Sequence, residues 1–143
     1  MSTINIRQIE NNVKTLVADF NEESFIYDFL LAYGLPKAAI KRQQLSSQGQ
    51  GYLFSPADVA FKKKVYFRIV KDRELPLVIS ELADENGAAI KSTHPRFVIA
   101  TDFERFMAVD TKTKDSLDTP FAELPSHYAF FLSWAGMVEI HNF

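Results

Sequence analysis

Asp102 and the triplet Asp110-Thr111-Lys112 are the residues whose types and spacing could carry hydrolytic chemistry. An acid on one strand, followed by an acid-x-Lys triplet on the next, can bind Mg²⁺, which polarises a phosphate and generates hydroxide while the lysine stabilises charge. Alternation along a strand would place Asp110 and Lys112 on one face. The alternative is that Asp102 ends a strand and residues 110–115 form a solvated turn, because charged residues are common beside hairpins.

Lys62-Lys63-Lys64 is the densest run of charge in the chain. Most such runs are solvated hairpin turns, but together with Lys37, Lys41 and Arg42 these lysines could form a patch that contacts DNA phosphates. The net charge of the chain is −2, so it has no global basic field. Binding of duplex DNA would therefore depend on this local patch.

Helices are predicted first along the chain. Apolar residues recur at three- and four-residue spacing over residues 3–18, which predicts an amphipathic helix. Asn21 is predicted to cap a second helix that ends at Gly34. A third helix is predicted over residues 36–46, and a surface loop over residues 46–55.

Strands are predicted from residue 59 onwards. Four are predicted, at residues 59–61, 65–70, 97–101 and 106–110. A helix is predicted over residues 76–85 and ended by Gly87, and a last helix over residues 124–135. This order predicts an α/β fold, with a small central mixed sheet flanked by helices. The length of 143 residues predicts a single domain.

Composition excludes several classes of site. The chain has no cysteine, which excludes disulfides, thiolate zinc sites and a cysteine nucleophile. His94, His127 and His141 lack metal-ligand spacing, so no metal site is predicted. No apolar run approaches the ~20 residues that span a bilayer, and the N-terminus lacks a signal-peptide profile. These features predict a cytoplasmic protein with no membrane partner.

Three segments carry a resemblance to a known family: Phe25–Gly34, Ala60–Phe67 and Phe97–Gly136. They resemble the N-terminal region of type II restriction–modification enzymes that fuse a nuclease-like domain to a DNA adenine methyltransferase. The resemblance covers nearly the whole chain. It implies a restriction-endonuclease-like fold, with residues 1–143 as the N-terminal domain of a larger protein.

The resemblance also implies where a nuclease site would lie. Asp58 matches the first acid of the family's motif, but Arg68 stands where the second acid is expected and Val70 where the lysine is expected. Arginine inverts the local charge, and one carboxylate alone binds Mg²⁺ poorly. The resemblance therefore implies a degenerate site, with Asp58 as a remnant and no catalytic residue.

Neither the Asn-Pro-Pro-Tyr motif nor the glycine-containing loop of the family's methyltransferase occurs in the chain. S-adenosylmethionine is therefore expected only in the parent protein, whose methyltransferase domain would be the partner.

Three hypotheses follow. The first is an accessory domain that holds DNA or packs on the methyltransferase, with no cofactor of its own. The second is a Mg²⁺-dependent endonuclease that uses Asp102, Asp110 and Lys112. The third is a protein-interaction module that docks through the aromatic C-terminal helix. A contiguous exposed patch of Phe130, Phe131, Trp134 or Met137 would favour it.

Overall fold

The computed structural model describes residues 5–38, 40, 44–45, 58–71 and 74–136. The chain divides into two compact units. Residues 1–41 and 122–143 form the helical unit, and residues 42–121 form the sheet unit. The prediction that residues 1–143 are a single domain of a longer protein stays a prediction.

The helical unit begins with α1 (Ile6–Ala18). Asn5 caps this helix in a capping box with Gln8, because each side chain binds the backbone N–H of the other residue. Ile9 and Val13 are fully buried, as the four-residue spacing of one helix face requires. The helix predicted at residues 3–18 is thus confirmed. It ends at Ala18 as predicted and begins at Ile6.

Helix α2 (Phe25–Ala32) supplies the aromatic core of the helical unit. The Phe29 ring contacts Phe131 and Trp134 edge to face, at centroid distances of 5.1 Å and 5.5 Å. Phe131 and Trp134 stack at 5.0 Å. The prediction that Asn21 caps this helix is wrong, because the N-cap is Ser24, three residues later. The Asn21 side chain accepts a hydrogen bond from the Glu23 N–H in a turn, and the helix begins only at Phe25.

The C-terminal segment Phe121–Ala135, here called η1, is a series of 3₁₀ turns rather than the predicted α-helix. Its backbone angles leave the helical range at His127 and Phe131. Pro125 lies inside the segment and has no N–H to donate, which disfavours a continuous α-helical ladder. Such turns repeat every three residues, and Phe131 and Trp134 are a buried pair at that spacing.

The sheet unit contains six strands in sequential order. They are β1 (Gln44–Leu45), β2 (Asp58–Phe61), β3 (Val65–Ile69), β4 (Phe97–Thr101), β5 (Arg105–Asp110) and β6 (Ser116–Pro120). Strands β3 and β4 pair in parallel, and the other neighbours pair antiparallel. The predicted α/β class with a mixed sheet is confirmed.

Two helices connect the parallel strands, as a crossover requires. They are α3 (Leu75–Leu82) and α4 (Ala88–Thr93). The buried face of α3 packs on the sheet face that carries Ala60, Tyr66, Val98 and Ala100. This apolar layer holds the strands that carry the candidate site.

Several boundaries differ from the sequence-based predictions. The helix predicted over 76–85 ends at Leu82, and Gly87 is the N-cap of the unpredicted helix α4 rather than a terminator. The helix predicted over 36–46 ends before Gln44, which pairs with β2. Strand β6 was also not predicted.

The loop predicted at residues 46–55 lies outside the described residues. None of the helices in the described part of the chain is long and apolar enough to cross a bilayer.

Candidate functional site

Asp58 and Arg68 face each other across the β2–β3 hairpin, where their Cα positions are direct partners in the register. The Arg68 Nε donates to Asp58 Oδ1 at 2.6 Å, and Nη2 donates to Oδ2 at 2.7 Å. The Tyr66 hydroxyl lies on the same strand face and donates to Oδ2 at 2.5 Å. The Asp58 side chain is fully buried, whereas 26% of the Arg68 side chain is exposed.

The electrostatics of this group favour a fixed ion pair. The hydrogen bond to Asp58 raises the pKa of Arg68 above its ordinary value, although burial opposes the effect. Burial, followed by the hydrogen bond to Asp58, raises the pKa of the Tyr66 hydroxyl well above its usual range. Arg68 therefore stays charged and Tyr66 stays protonated, so both remain donors to the Asp58 carboxylate.

This arrangement limits what the Asp58–Arg68 site can do chemically. Both carboxylate oxygens of Asp58 already accept hydrogen bonds, and a guanidinium occupies the position in front of them. Among the described residues, no cluster of three or more acidic, histidine or cysteine side chains could hold a metal ion. Val70 follows the end of β3 and is only 5% exposed, so it contributes apolar packing there.

Asp102 and Asp110 lie at opposite ends of the β4–β5 hairpin. Asp110 pairs with Phe97 at the start of β4, whereas Asp102 follows Thr101 at its end. Five residue steps of about 3.3 Å separate Phe97 from Asp102 along the chain. The structure thus does not bring the two carboxylates within reach of one ion. Lys112 lies in the turn after β5, not on the strand face shared with Asp110.

Each of these acids has a local structural role. The Asp102 carboxylate accepts hydrogen bonds from the backbone N–H groups of Glu104 and Arg105, which closes the turn between β4 and β5. Asp110 is buried and accepts two hydrogen bonds from the guanidinium of Arg96, at 2.9 Å and 3.0 Å. It also accepts from the backbone N–H groups of Lys112 and Thr113.

Burial opposes ionisation of Asp110, but the hydrogen bonds from Arg96 and from the two turn N–H groups outweigh it and lower the pKa of the carboxyl. Sequence reasoning missed this Arg96–Asp110 pair. The signal was the placement of an arginine just before one strand and an acid at the end of its antiparallel neighbour, since such positions are adjacent in a hairpin.

The candidate DNA-binding lysines fall in both units. Lys62 and Lys63 are exposed in the β2–β3 turn of the sheet unit, and Lys64 is half-buried there. Lys37 is exposed in the helical unit. Lys41 and Arg42 lie outside the described residues.

The aromatic segment η1 turns its largest side chains inward. Phe131 is fully buried and Trp134 is 5% exposed. Phe130 is half-buried and contacts Phe131 at 5.0 Å. Met137 lies outside the described residues. Phe130, Phe131 and Trp134 thus pack into the helical unit and do not themselves form an exposed aromatic patch.

Comparison with known proteins gives the family. The family described as "MmeI, N-terminal domain" matches residues 4–143. A relative named DNA methyltransferase A, from Bacillus subtilis (strain 168), is 31% identical over 132 residues, which is 92% of this chain. The chain spans only 15% of the length of that relative. No solved structure matches the chain. The chain belongs to the MmeI N-terminal domain family, and the resemblance found in its sequence is confirmed.

Proposed function

We propose that this chain is the accessory N-terminal domain of a type II restriction–modification DNA methyltransferase. In this proposal it has a restriction-endonuclease-like fold with a silent nuclease site. The observation that carries the proposal is the Asp58–Arg68 ion pair. It places a cation directly opposite the acid that a working site would use to bind metal.

The chemistry of this pair explains why the site would be silent. A nuclease of this kind needs two carboxylates that share Mg²⁺, and the metal must approach their free oxygens. The Arg68 guanidinium is permanently charged and binds both oxygens of Asp58. A divalent cation would have to displace this pair and overcome repulsion by the arginine.

The accessory role would be to hold duplex DNA or to pack on the methyltransferase. The exposed lysines of the β2–β3 turn support a role in holding DNA, because clustered lysines contact phosphates without regard to base sequence. The name of the relative and its much greater length support a role in packing on the methyltransferase. S-adenosylmethionine would bind in the methyltransferase portion of such a protein and not in this chain.

The test combines a cleavage assay with a binding assay on one preparation. Supercoiled plasmid is incubated with the chain in Mg²⁺ and in Mn²⁺, and a labelled duplex is titrated at low salt. We expect no nicking in either metal and salt-sensitive binding of the duplex. Nicking that is lost in Asp58→Asn would contradict a silent Asp58–Arg68 site. Nicking that is lost in Asp102→Asn would favour the Asp102, Asp110 and Lys112 hypothesis instead.

A further inference from the structure

We infer that the DNA-contacting surface is one end of the six-stranded sheet, and that it takes the phosphate backbone of a duplex. At this end, called here the turn end, the β2–β3 turn, the start of β4 and the β5–β6 turn meet. The inference rests on the proposed function, and it assigns that function a surface. This surface includes Lys91, which no sequence motif pointed to, and Lys112, which the sequence indicated only as part of a possible metal-site triplet.

The strand register brings these segments together. Val65 at the start of β3 pairs with Phe97 at the start of β4, because the two strands are parallel. Phe97 in turn pairs with Asp110 at the end of β5, because these strands are antiparallel. The β2–β3 turn, Arg96 and the turn after Asp110 therefore lie at the same end of the sheet, although they are far apart in sequence.

Backbone hydrogen bonds hold the turn end in place. The Lys63 N–H donates to the carbonyl of Thr93 at the end of α4, at 2.9 Å. The Thr111 N–H donates to the carbonyl of Arg96, also at 2.9 Å. The turns that carry the lysines are thus ordered before a ligand arrives, which lowers the entropic cost of binding.

The charge at the turn end is positive. Its exposed lysines are Lys62, Lys63, Lys91, Lys112 and Lys114. The acids nearby are Asp110 and Asp115 beside the β5–β6 turn, and Glu81, Asp84 and Glu85 at and after the end of α3. Two of these acids are already matched, since Asp110 pairs with Arg96 and Glu85 pairs with Lys114. The other lysines therefore outnumber the other acids.

Among the residues that the structure describes, the other end of the sheet shows no such excess of positive charge. Asp58 is neutralised by Arg68, and Arg105 is paired with Asp118. Asp102 and Glu104 are exposed there, with Lys71 as a basic neighbour at the end of β3. Arg68 lies three residue steps from the start of β3, or about 10 Å. The phosphate backbone is thus attracted to the turn end and not to the position of a nuclease centre.

The experiment compares two single-charge variants at the two ends of the sheet. Binding of the whole 143-residue chain to a labelled mixed-sequence duplex is measured by fluorescence anisotropy between 50 and 200 mM salt. The variants are Lys112→Gln at the turn end and Lys71→Gln at the opposite end. Both side chains are exposed, and urea denaturation of each variant verifies that the fold is intact.

We expect Lys112→Gln to weaken binding roughly tenfold at 50 mM salt and to reduce the salt slope by about 0.9, the loss of one phosphate contact. Lys71→Gln should bind like the unsubstituted chain. The inference is overturned if Lys112→Gln has no effect, or if Lys71→Gln has the larger effect, while the unsubstituted chain still binds. A chain that fails to bind even at 50 mM salt overturns the DNA-holding role itself.

Discussion

The Arg68 guanidinium binds the Asp58 carboxylate through a two-pronged contact, in which Nε and Nη2 each donate to a different carboxylate oxygen. The two residues are cross-strand partners, so the geometry follows directly from the β2–β3 register. The chain thereby supplies its own cation to a buried acid. A buried carboxylate is costly unless it is paired and hydrogen-bonded, and Arg68 and Tyr66 meet that requirement together.

Loss of this cation should destabilise the fold. Arg68→Met keeps an apolar stem but removes the bidentate partner of the buried Asp58, so we expect the free energy of unfolding to fall by about 3–5 kcal/mol. Urea denaturation measures this change in the free energy of unfolding. Arg105→Met is the matched control, because its pair with Asp118 is half exposed and should be worth at most about 1 kcal/mol. Equal effects in the two variants would contradict the special role of Arg68.

Introducing the second acid and the lysine of the nuclease motif at positions 68 and 70 should not create a nuclease. Arg68→Glu with Val70→Lys would place two carboxylates together without a cation and would bury an ammonium group where Val70 is 5% exposed. We expect a less stable chain that does not nick supercoiled plasmid in Mg²⁺. The single variant Val70→Lys separates the cost of the buried ammonium group from that of the paired acids. Mg²⁺-dependent nicking by the double variant would refute the expectation.

Asp110 should make the fold acid-sensitive. Its pKa is lower in the folded chain than the ordinary value for an aspartate, so its ionised form stabilises the fold. That contribution is complete above the unfolded pKa of about 3.9 and is lost as pH falls through the lower folded pKa. Asp110→Asn should therefore be less stable at pH 7, and its deficit should shrink below pH about 3.9.

Urea denaturation at pH 7, 4 and 3 would measure the narrowing gap for Asp110→Asn. Asp118→Asn is the control, since that carboxylate is 47% exposed and its ion pair should be weak at every pH. A deficit of Asp110→Asn that stays constant from pH 7 to pH 3 would show that the carboxylate acts through packing and not through its charge.

A substitution at Lys63 should change stability and duplex binding in opposite directions. The Lys63 φ of 66° lies in the left-handed region, which costs a non-glycine residue about 1–2 kcal/mol. Lys63→Gly should raise the free energy of unfolding, by up to about 1 kcal/mol after the added chain entropy of glycine. The same variant should weaken duplex binding. Lys62→Gly is the neighbouring control and should lower stability. A destabilised Lys63→Gly chain would contradict the turn geometry.

Trp134 is the single tryptophan of the chain and reports on the aromatic core of the helical unit. Phe131→Ala removes its stacked partner and opens a cavity, so we expect a loss of about 3–5 kcal/mol and a red shift of Trp134 emission. Phe130→Ala, at a half-buried neighbour, should have a smaller effect on both measurements. An unchanged emission spectrum in Phe131→Ala would contradict the stacked arrangement.

Local patterns predicted those elements whose signal lies within a few residues. The helical spacing from Ile6 to Ala18 and the two hairpins at residues 58–69 and 97–110 appear where the sequence indicates them. Strand β6 was missed although its burial alternates, because Leu117 and Thr119 carry the buried face in a run that is otherwise polar. A short helix such as α4 has too few residues to show a helical period.

The candidate site shows a second limit of prediction from the sequence. The family resemblance implied that Arg68 stands where a nuclease would have its second acid, but the register was needed to show that Arg68 lies directly opposite Asp58. Asp110 was interpreted as either a metal ligand or part of a solvated turn, and the structure shows it buried and bound by Arg96 rather than solvated. Its burial depends on Arg96, which precedes a strand that comes earlier in the chain. Pairings between distant segments cannot be read from local spacing.

Strand β6 stands at one edge of the sheet in the order of its strands. The edge of a sheet can template the addition of a foreign strand, and natural proteins block such edges with charge and proline. Here Asp118 points outward in an ion pair with Arg105, and Pro120, which cannot donate a ladder hydrogen bond, ends the strand. This edge therefore resists sheet-to-sheet aggregation, which favours a chain that stays dispersed at high concentration.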